Sequence, residues 1–434
     1  MKKLFTILFS LFLFTGIGFA ESEEVHGNHN ATEVSETVHG EGDHEVQSDS
    51  TAHKADGHEV SGTHGDAHGD HHAHEPAAWA VIPFVVLLLM IATGPLFFEH
   101  FWHHNYPIVA VVLGGLVVGY YIFALGDTGS PIHSLAEYIQ FIALLAGLFM
   151  ASGGILINVD KEGKPLTNVI LLIIGAVLSN LIGTTGASML LIRPFIRLNK
   201  NRIKPYHVMF FIFMVSNVGG SLTPIGDPPL FLGFLKGVPF MWTVTHNVVP
   251  WFFAISVLSV IFYVFDSRNK EGETEEKEEY TGKVSIIGAQ NFLWIAVIIG
   301  AVFIDPNVFP WVPGIETMIH GQLIKISFIR EVIMLAVACL SYYFANQEAL
   351  RGNEFEFEPI KEVAFIFIGI FFTMMPALQL VGAFAGSPEG KEMINVHSLY
   401  WLTGALSGVL DNAPTYVNFL TCLLYTSDAA DDSL

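Results

Sequence analysis

Cysteine is nearly absent: Cys339 and Cys422 are the only two in 434 residues, so neither a disulfide framework nor a thiolate metal cluster is available. Charge is scarce as well. Only 14% of the residues are Asp, Glu, Lys or Arg, against about a quarter in an ordinary soluble domain, and with 52% apolar residues this argues against a water-soluble enzyme. Basic residues are the scarcer sign, 20 Lys+Arg against 41 Asp+Glu, for a net charge of −21. A nucleic-acid partner needs a basic patch to neutralise phosphates, and none is present. No nucleophile-plus-base arrangement and no phosphate loop stands out, so no enzyme is expected. The Trp and Phe content reads as lipid-facing surface and interfacial belt and implies no cofactor. The chemistry has to come from carboxylates, amides, hydroxyls and backbone.

What is present begins with a targeting signal. Lys2 and Lys3 precede an uncharged apolar run from Leu4 to Phe19, and Gly18-Phe19-Ala20 offers small residues at the positions a signal peptidase reads. Residues 1–20 are expected to be a cleaved signal peptide, which puts residue 21 outside the cytoplasm. Residues 21–75 hold 14 acids and one lysine, −13 of the total charge, together with eleven of the 19 histidines. With almost no large apolar side chains such a segment cannot offset its ordering entropy, so 21–76 is expected to be a disordered periplasmic tail. Within it His68, His71, His72 and His74 sit close enough to chelate Zn, Cu or Ni, although a merely solvated, pH-responsive tail is the simpler reading.

From Ala77 the chain is a series of apolar segments whose loops are oriented by their Lys and Arg content. Residues 77–98 run inward, 106–124 outward and 135–157 inward. If 166–192 simply crossed, the loop bearing Arg193, Arg197, Lys200, Arg202 and Lys204 would lie outside, against the positive-inside tendency. That stretch is also interrupted by Ser179-Asn180-Leu181-Ile182-Gly183-Thr184-Thr185-Gly186. A re-entrant hairpin with this polar sequence at its tip removes both conflicts, since non-helical backbone at membrane depth is tolerated where protein or a wet cavity covers it.

Residues 206–236 read as a crossing outward whose middle, Ser216 to Pro229, carries three prolines and three glycines and cannot be one continuous helix. Residues 247–265 return inward. The acid- and base-rich run 266–284 is expected to be a cytoplasmic linker between a first membrane repeat, 77–265, and a second, 285–421. In the second half 291–304, 326–345 and 362–382 cross in turn, and a segment from about Ser398 is interrupted at Ser407-Gly408-Val409-Leu410-Asp411-Asn412-Ala413-Pro414-Thr415. One interruption is approached from the cytoplasm and the other from outside. The predicted fold is an all-α polytopic membrane protein of inverted repeats with re-entrant hairpins and broken helices, whose interruptions meet near the midplane.

Three segments carry a family resemblance. Ser179-Asn180 with Gly183-Thr184-Thr185-Gly186, the run from Ser216 to Pro229, and Leu410-Asp411-Asn412-Ala413-Pro414-Thr415 together resemble the ion transporter superfamily, in particular NhaD-type sodium/proton antiporters and citrate-transporter-like permeases. The resemblance spans roughly residues 77–421. It implies a secondary transporter of the bacterial inner membrane, with the lipid bilayer and a second copy in a homodimer as partners and Na+ or Li+ and H+ as cargo, or alternatively Na+-coupled citrate or dicarboxylate. It also implies a further broken helix after Asn412, so the second repeat is expected to be C-terminally truncated. Residues 422–434 change abruptly to a polar, acid-rich stub that resembles translated sequencing-adapter DNA and are expected to be non-native.

An intramembrane carboxylate is costly and is a functional candidate by default. Asp227 and Asp411 each fall within a break, where hard oxygens and a titratable group could bind Na+ or H+ in competition. Asn180, Asn217 and Asn412, with Ser179, Ser216, Thr184, Thr185, Thr223 and Thr415, are expected to supply neutral oxygens. Asp227 is also placed to cap the half-helix that follows it. Glu137 and Glu331 read as interfacial and His207 as structural. No arginine falls inside either break to meet a substrate carboxylate, which favours cation exchange over the citrate reading.

Overall fold

The computed structural model describes residues 75–159, 161, 163–269, 283–304, 309, 311–319, 322–408 and 410–426. The expected signal peptide, the tail with His68, His71, His72 and His74, most of the linker and residues 427–434 lie outside this set. Among the described residues six helices are long and apolar enough to cross a bilayer, and the chain is an all-α polytopic membrane protein.

In chain order a 3-10 turn at Ala78–Val81 leads into α1 (Ile82–Phe97) and α2 (Glu99–Tyr120), which runs on through a π-helical turn to Leu125. The carboxylate of Asp127 then accepts N–H bonds from Gly129 and Ser130 at 2.8 and 3.1 Å, satisfying donors at the start of α3 (Gly129–Gly153). After strand β1 (Leu156–Val159) come α4 (Pro165–Leu198), α5 (Pro205–Phe211) with irregular turns through Gly220, α6 (Pro228–Leu235) and α7 (Phe240–Ser267). The second half contains β2 (Val284–Ile287), α8 (Asn291–Val302), β3 (Ile315–Ile319), β4 (Gln322–Ile326), α9 (Ile329–Tyr343), α10 (Gln347–Gly352), α11 (Glu358–Gly386), α12 (Pro388–Met393), α13 (Val396–Ser407) and α14 (Asn412–Thr426).

α4 is not one rod. A straight helix of its 34 residues would part its ends by about 50 Å, yet Asn168 near one end hydrogen-bonds Asn199 beyond the other at 2.8 Å. The chain reverses at Gly183, the single residue in α4 with non-helical backbone (φ 76°, ψ 155°), a conformation open to glycine and strained for residues bearing a Cβ. The re-entrant hairpin expected for 166–192 is therefore present, with its turn inside the predicted tip.

α3 and α11 form an antiparallel pair. Ser130, Ser134 and Tyr138 of α3 bond in turn to Gln379, the Phe371 carbonyl and the Ala364 carbonyl of α11, so residue numbers rise along one helix as they fall along the other. Phe141 stacks against Phe367 in the same seam, its ring centroid 4.6 Å away. Each helix leads into an interrupted segment, α4 after α3 and the α13–α14 pair after α11. Because the two leading helices point in opposite directions, the two segments enter from opposite ends, as inverted repeats require.

Two features depart from the sequence reading. The all-helical expectation omitted the strands: β1 pairs antiparallel with β2, Leu156 opposite Ile287, and β3 with β4. A four-residue strand carries too short a pattern to read, and the partner of β1 comes from beyond the charged linker. Glu331, expected at the interface, is buried with Arg330, whose Nε donates to its Oε1 at 2.7 Å. Glu137 instead sits partly buried and takes an ion pair from Lys236 at 3.1 Å, while His207 is buried as a structural residue would be.

Candidate functional site

The tip of the α4 hairpin is pinned onto the irregular loop between α5 and α6. Asn180 does most of this. Its Nδ2 donates to the carbonyls of Ala176 at 3.0 Å and Gly219 at 2.6 Å, its Oδ1 accepts from Leu222 N at 3.0 Å, and its own carbonyl accepts from Thr223 Oγ1 at 2.6 Å. Ser179 Oγ bonds the carbonyls of Gly175 and Val215, the Thr184 amide donates to the Gly226 carbonyl at 2.9 Å, and Ser216 Oγ meets Ser188 Oγ at 2.8 Å. Five of the expected polar residues, Ser179, Asn180, Thr184, Ser216 and Thr223, therefore converge. Their polar atoms largely satisfy backbone left open by the breaks, as buried donors and acceptors must. Asn217 and Thr185 are exposed and take no part in this lattice.

The glycines of the Ser216–Pro229 run permit backbone to touch backbone. A Cβ on Gly226 would lie 2.1 Å from the Gly220 carbonyl oxygen, and one on Gly220 would lie 2.6 Å from the Gly226 carbonyl oxygen. No side chain can shift to relieve that.

Three residues outside the sequence-level list complete the loop. Trp251 Nε1 donates to the Gly219 carbonyl at 3.0 Å and Asn247 Nδ2 to the Ser221 carbonyl at 3.1 Å, both from α7, and Ser188 comes from the second arm of α4. Asn247 lies one turn before Trp251 and ends a largely polar run, Thr243 to Asn247, near the start of a mainly apolar helix, which was the available signal for it. Trp251 and Ser188 had none that set them apart from their neighbours.

The two carboxylates come from different halves, and each directly precedes a helix, Asp227 before α6 and Asp411 before α14. α14 packs on α6, where a Cβ on Gly233 of α6 would sit 2.5 Å from the Tyr416 hydroxyl of α14. Their capping reverses the sequence expectation. Asp227 occupies the position before α6, with its carbonyl accepting from Leu230 and Phe231, but its carboxylate makes no capping bond. Asp411 does cap: its Oδ1 accepts from Ala413 N at 2.8 Å and its carbonyl from Thr415 Oγ1 at 2.9 Å. Pro229 accounts for part of the difference, because it removes the amide of the second helical residue, the donor that Asp411 uses at Ala413. Asn412 contacts Ser407 across the second interruption, and Thr415 is buried behind it.

Two helix N-termini, each preceded by a carboxylate, and a hairpin tip within an antiparallel, lipid-spanning scaffold define the class: a polytopic membrane permease with a discontinuous-helix site. The chain belongs to the family described as "Putative citrate transport", whose model matches residues 73–430; it is a citrate-transporter-like permease. No curated protein matches the chain.

Proposed function

We propose that this chain is a secondary active transporter exchanging Na+ or Li+ for H+, as a homodimer in the bacterial inner membrane with its N-terminal tail in the periplasm. One observation carries the exchange reading: Asp227 and Asp411, from opposite halves, each precede one of two helices that pack on each other, α6 and α14. Two nearby carboxylates in a low-dielectric site repel when both are ionised, and either a monovalent cation or a proton relieves that repulsion. Competition for one site couples the two fluxes without any further device. Each carboxylate also lies at a half-helix N-terminus, whose partial positive charge offsets part of the cost of keeping it ionised.

Na+-coupled movement of citrate or another carboxylate is the second reading, supported by the description of the family. The same half-helix N-termini suit an anion, but each already faces a carboxylate of the chain and no arginine lies in either break. Everted vesicles carrying the protein separate the two. Added Na+ or Li+ should dissipate a preformed pH gradient without citrate; dissipation that needs citrate would select the carboxylate carrier, and none with any of the three would reject the exchange reading.

A further inference from the structure

Asp266 closes α7 and looks from the sequence like the first residue of a solvated linker, yet it is fully buried and its carboxylate takes hydrogen bonds from three residues in other segments, Asn168, Arg202 and Tyr206. Its Oδ2 accepts from Asn168 Nδ2 at 2.9 Å, at the start of the α4 hairpin. Its Oδ1 accepts from Arg202 Nη2 and Tyr206 OH, each at 2.8 Å. His207, also fully buried, places Nε2 at 3.1 Å from Oδ1, off the line of a good hydrogen bond, while its Nδ1 accepts from Lys204 N at 3.0 Å. Arg202 ties further to the Asp266 carbonyl at 2.9 Å and to the Gly163 carbonyl, and Asn168 and Asn199 bond each other.

The carboxylate thus joins both arms of the hairpin, the start of α5 and the end of α7 at one point. The same three elements meet again at the opposite end of the hairpin, through Asn180 to Gly219 and Leu222 and through Trp251 to Gly219. The hairpin is held at two places, and the register of its tip depends on the orientation of arms fixed at the base. A rigid arm converts a small rotation at its base into a displacement at its tip, and a site that must hold its ligands to about 0.5 Å does not tolerate that.

We infer that Asp266 is a positioning residue of the cation site, acting at a distance by setting the hairpin arms whose tip carries Asn180 and Thr184. This rests on the proposed cation exchange for its ligand, but its geometric part does not. Two measurements on the full chain separate them. The first needs no cargo: in a Cys339→Ser/Cys422→Ser background, Ser188→Cys with Ser216→Cys reports the contact between hairpin and broken helix by oxidative cross-linking. Adding Asp266→Ala should slow cross-linking several-fold, and Asp266→Glu should restore part of the rate. The second is Na+-driven proton movement in everted vesicles with the native serines. There Asp266→Ala should raise the Na+ concentration for half-maximal exchange about tenfold, equivalent to ~1.4 kcal/mol, and leave the maximal rate per inserted molecule within about threefold. Asp266→Asn, which keeps an acceptor oxygen, supplies the milder test if the alanine variant does not insert. An unchanged cross-linking rate overturns the inference whatever the cargo. Slower cross-linking with an unaltered Na+ requirement also overturns it, leaving Asp266 a fold residue alone. A wild-type protein indifferent to Na+ rejects the exchange reading and leaves the cross-linking arm to decide the positioning role.

Discussion

Asn168 and Asn199, thirty-one residues apart, exchange two hydrogen bonds between their side-chain amides, of 2.8 and 2.9 Å, in a fully buried setting. The second proton of Asn168 Nδ2 goes to Asp266 and that of Asn199 Nδ2 to the Phe195 carbonyl, so all four amide protons are used. This pair closes the base of the α4 hairpin, and its energetics follow from its completeness. Asn168→Ala and Asn199→Ala should each cost roughly 1–3 kcal/mol, since each strands a buried partner. The double variant should cost clearly less than the sum of the two singles. Denaturation of the purified protein in detergent gives the cycle; strict additivity would mean the two amides do not depend on each other.

Gly183→Ala and Gly226→Ala should differ in severity. At Gly183 the added Cβ meets the Ile225 carbonyl oxygen at 3.4 Å and Leu148 Cδ1 at 3.7 Å, both ordinary contacts, so the cost is mainly the positive-φ, extended-ψ backbone that only glycine adopts readily, about 1–3 kcal/mol. At Gly226 the Cβ would fall 2.1 Å from the Gly220 carbonyl oxygen, and two main-chain segments would have to separate. Gly183→Ala should insert with a lowered unfolding temperature, whereas Gly226→Ala should fail to accumulate as folded protein. Fluorescence size-exclusion profiles of the two variants read this directly, and equal profiles would contradict the contact.

Both carboxylates should be needed for exchange, but only Asp411 should also hold up its helix through a cap. Asp227 makes no capping bond, so Asp227→Asn should abolish cation-driven proton movement and change stability little. Asp411→Asn should also lose exchange, and because an amide oxygen can still accept from Ala413 N it should keep its fold. Asp411→Ala loses the cap as well and should be less stable than Asp411→Asn by about 1 kcal/mol. Exchange at limiting and saturating Na+, with unfolding temperatures on the same preparations, tests all three. Wild-type exchange by Asp227→Asn would remove that residue from the mechanism.

The antiparallel course of α3 and α11 places the entries to the two interrupted segments at opposite ends. A cysteine replacing Lys200, exposed just after α4, should therefore react with an impermeant maleimide from one side of the membrane only. One replacing Lys391, exposed on α12 ahead of α13, should react from the other side only. Labelling of both from one side would exclude the inverted arrangement.

Much of this architecture was legible from local chemistry. Positive loops flanking 166–192 and the polar run at its centre called for a hairpin, because charge and unpaired backbone are too costly to leave in lipid, and Gly183 turned out to be its turning point. The prolines and glycines between Ser216 and Pro229 announced a break for the same reason. The sequence also singled out Asp227 and Asp411 by their depth. It could not say which of them spends its carboxylate on a helix cap, since that depends on amides positioned by the folded turn. Nor could it distinguish Asp266 from the charged residues that follow it. Composition and periodicity report how much a segment must hide from water or lipid. Only the tertiary structure decides which distant group meets it there: the partner of Asn168 lies thirty-one residues away and that of β1 beyond the linker, distances at which no local pattern constrains the pairing.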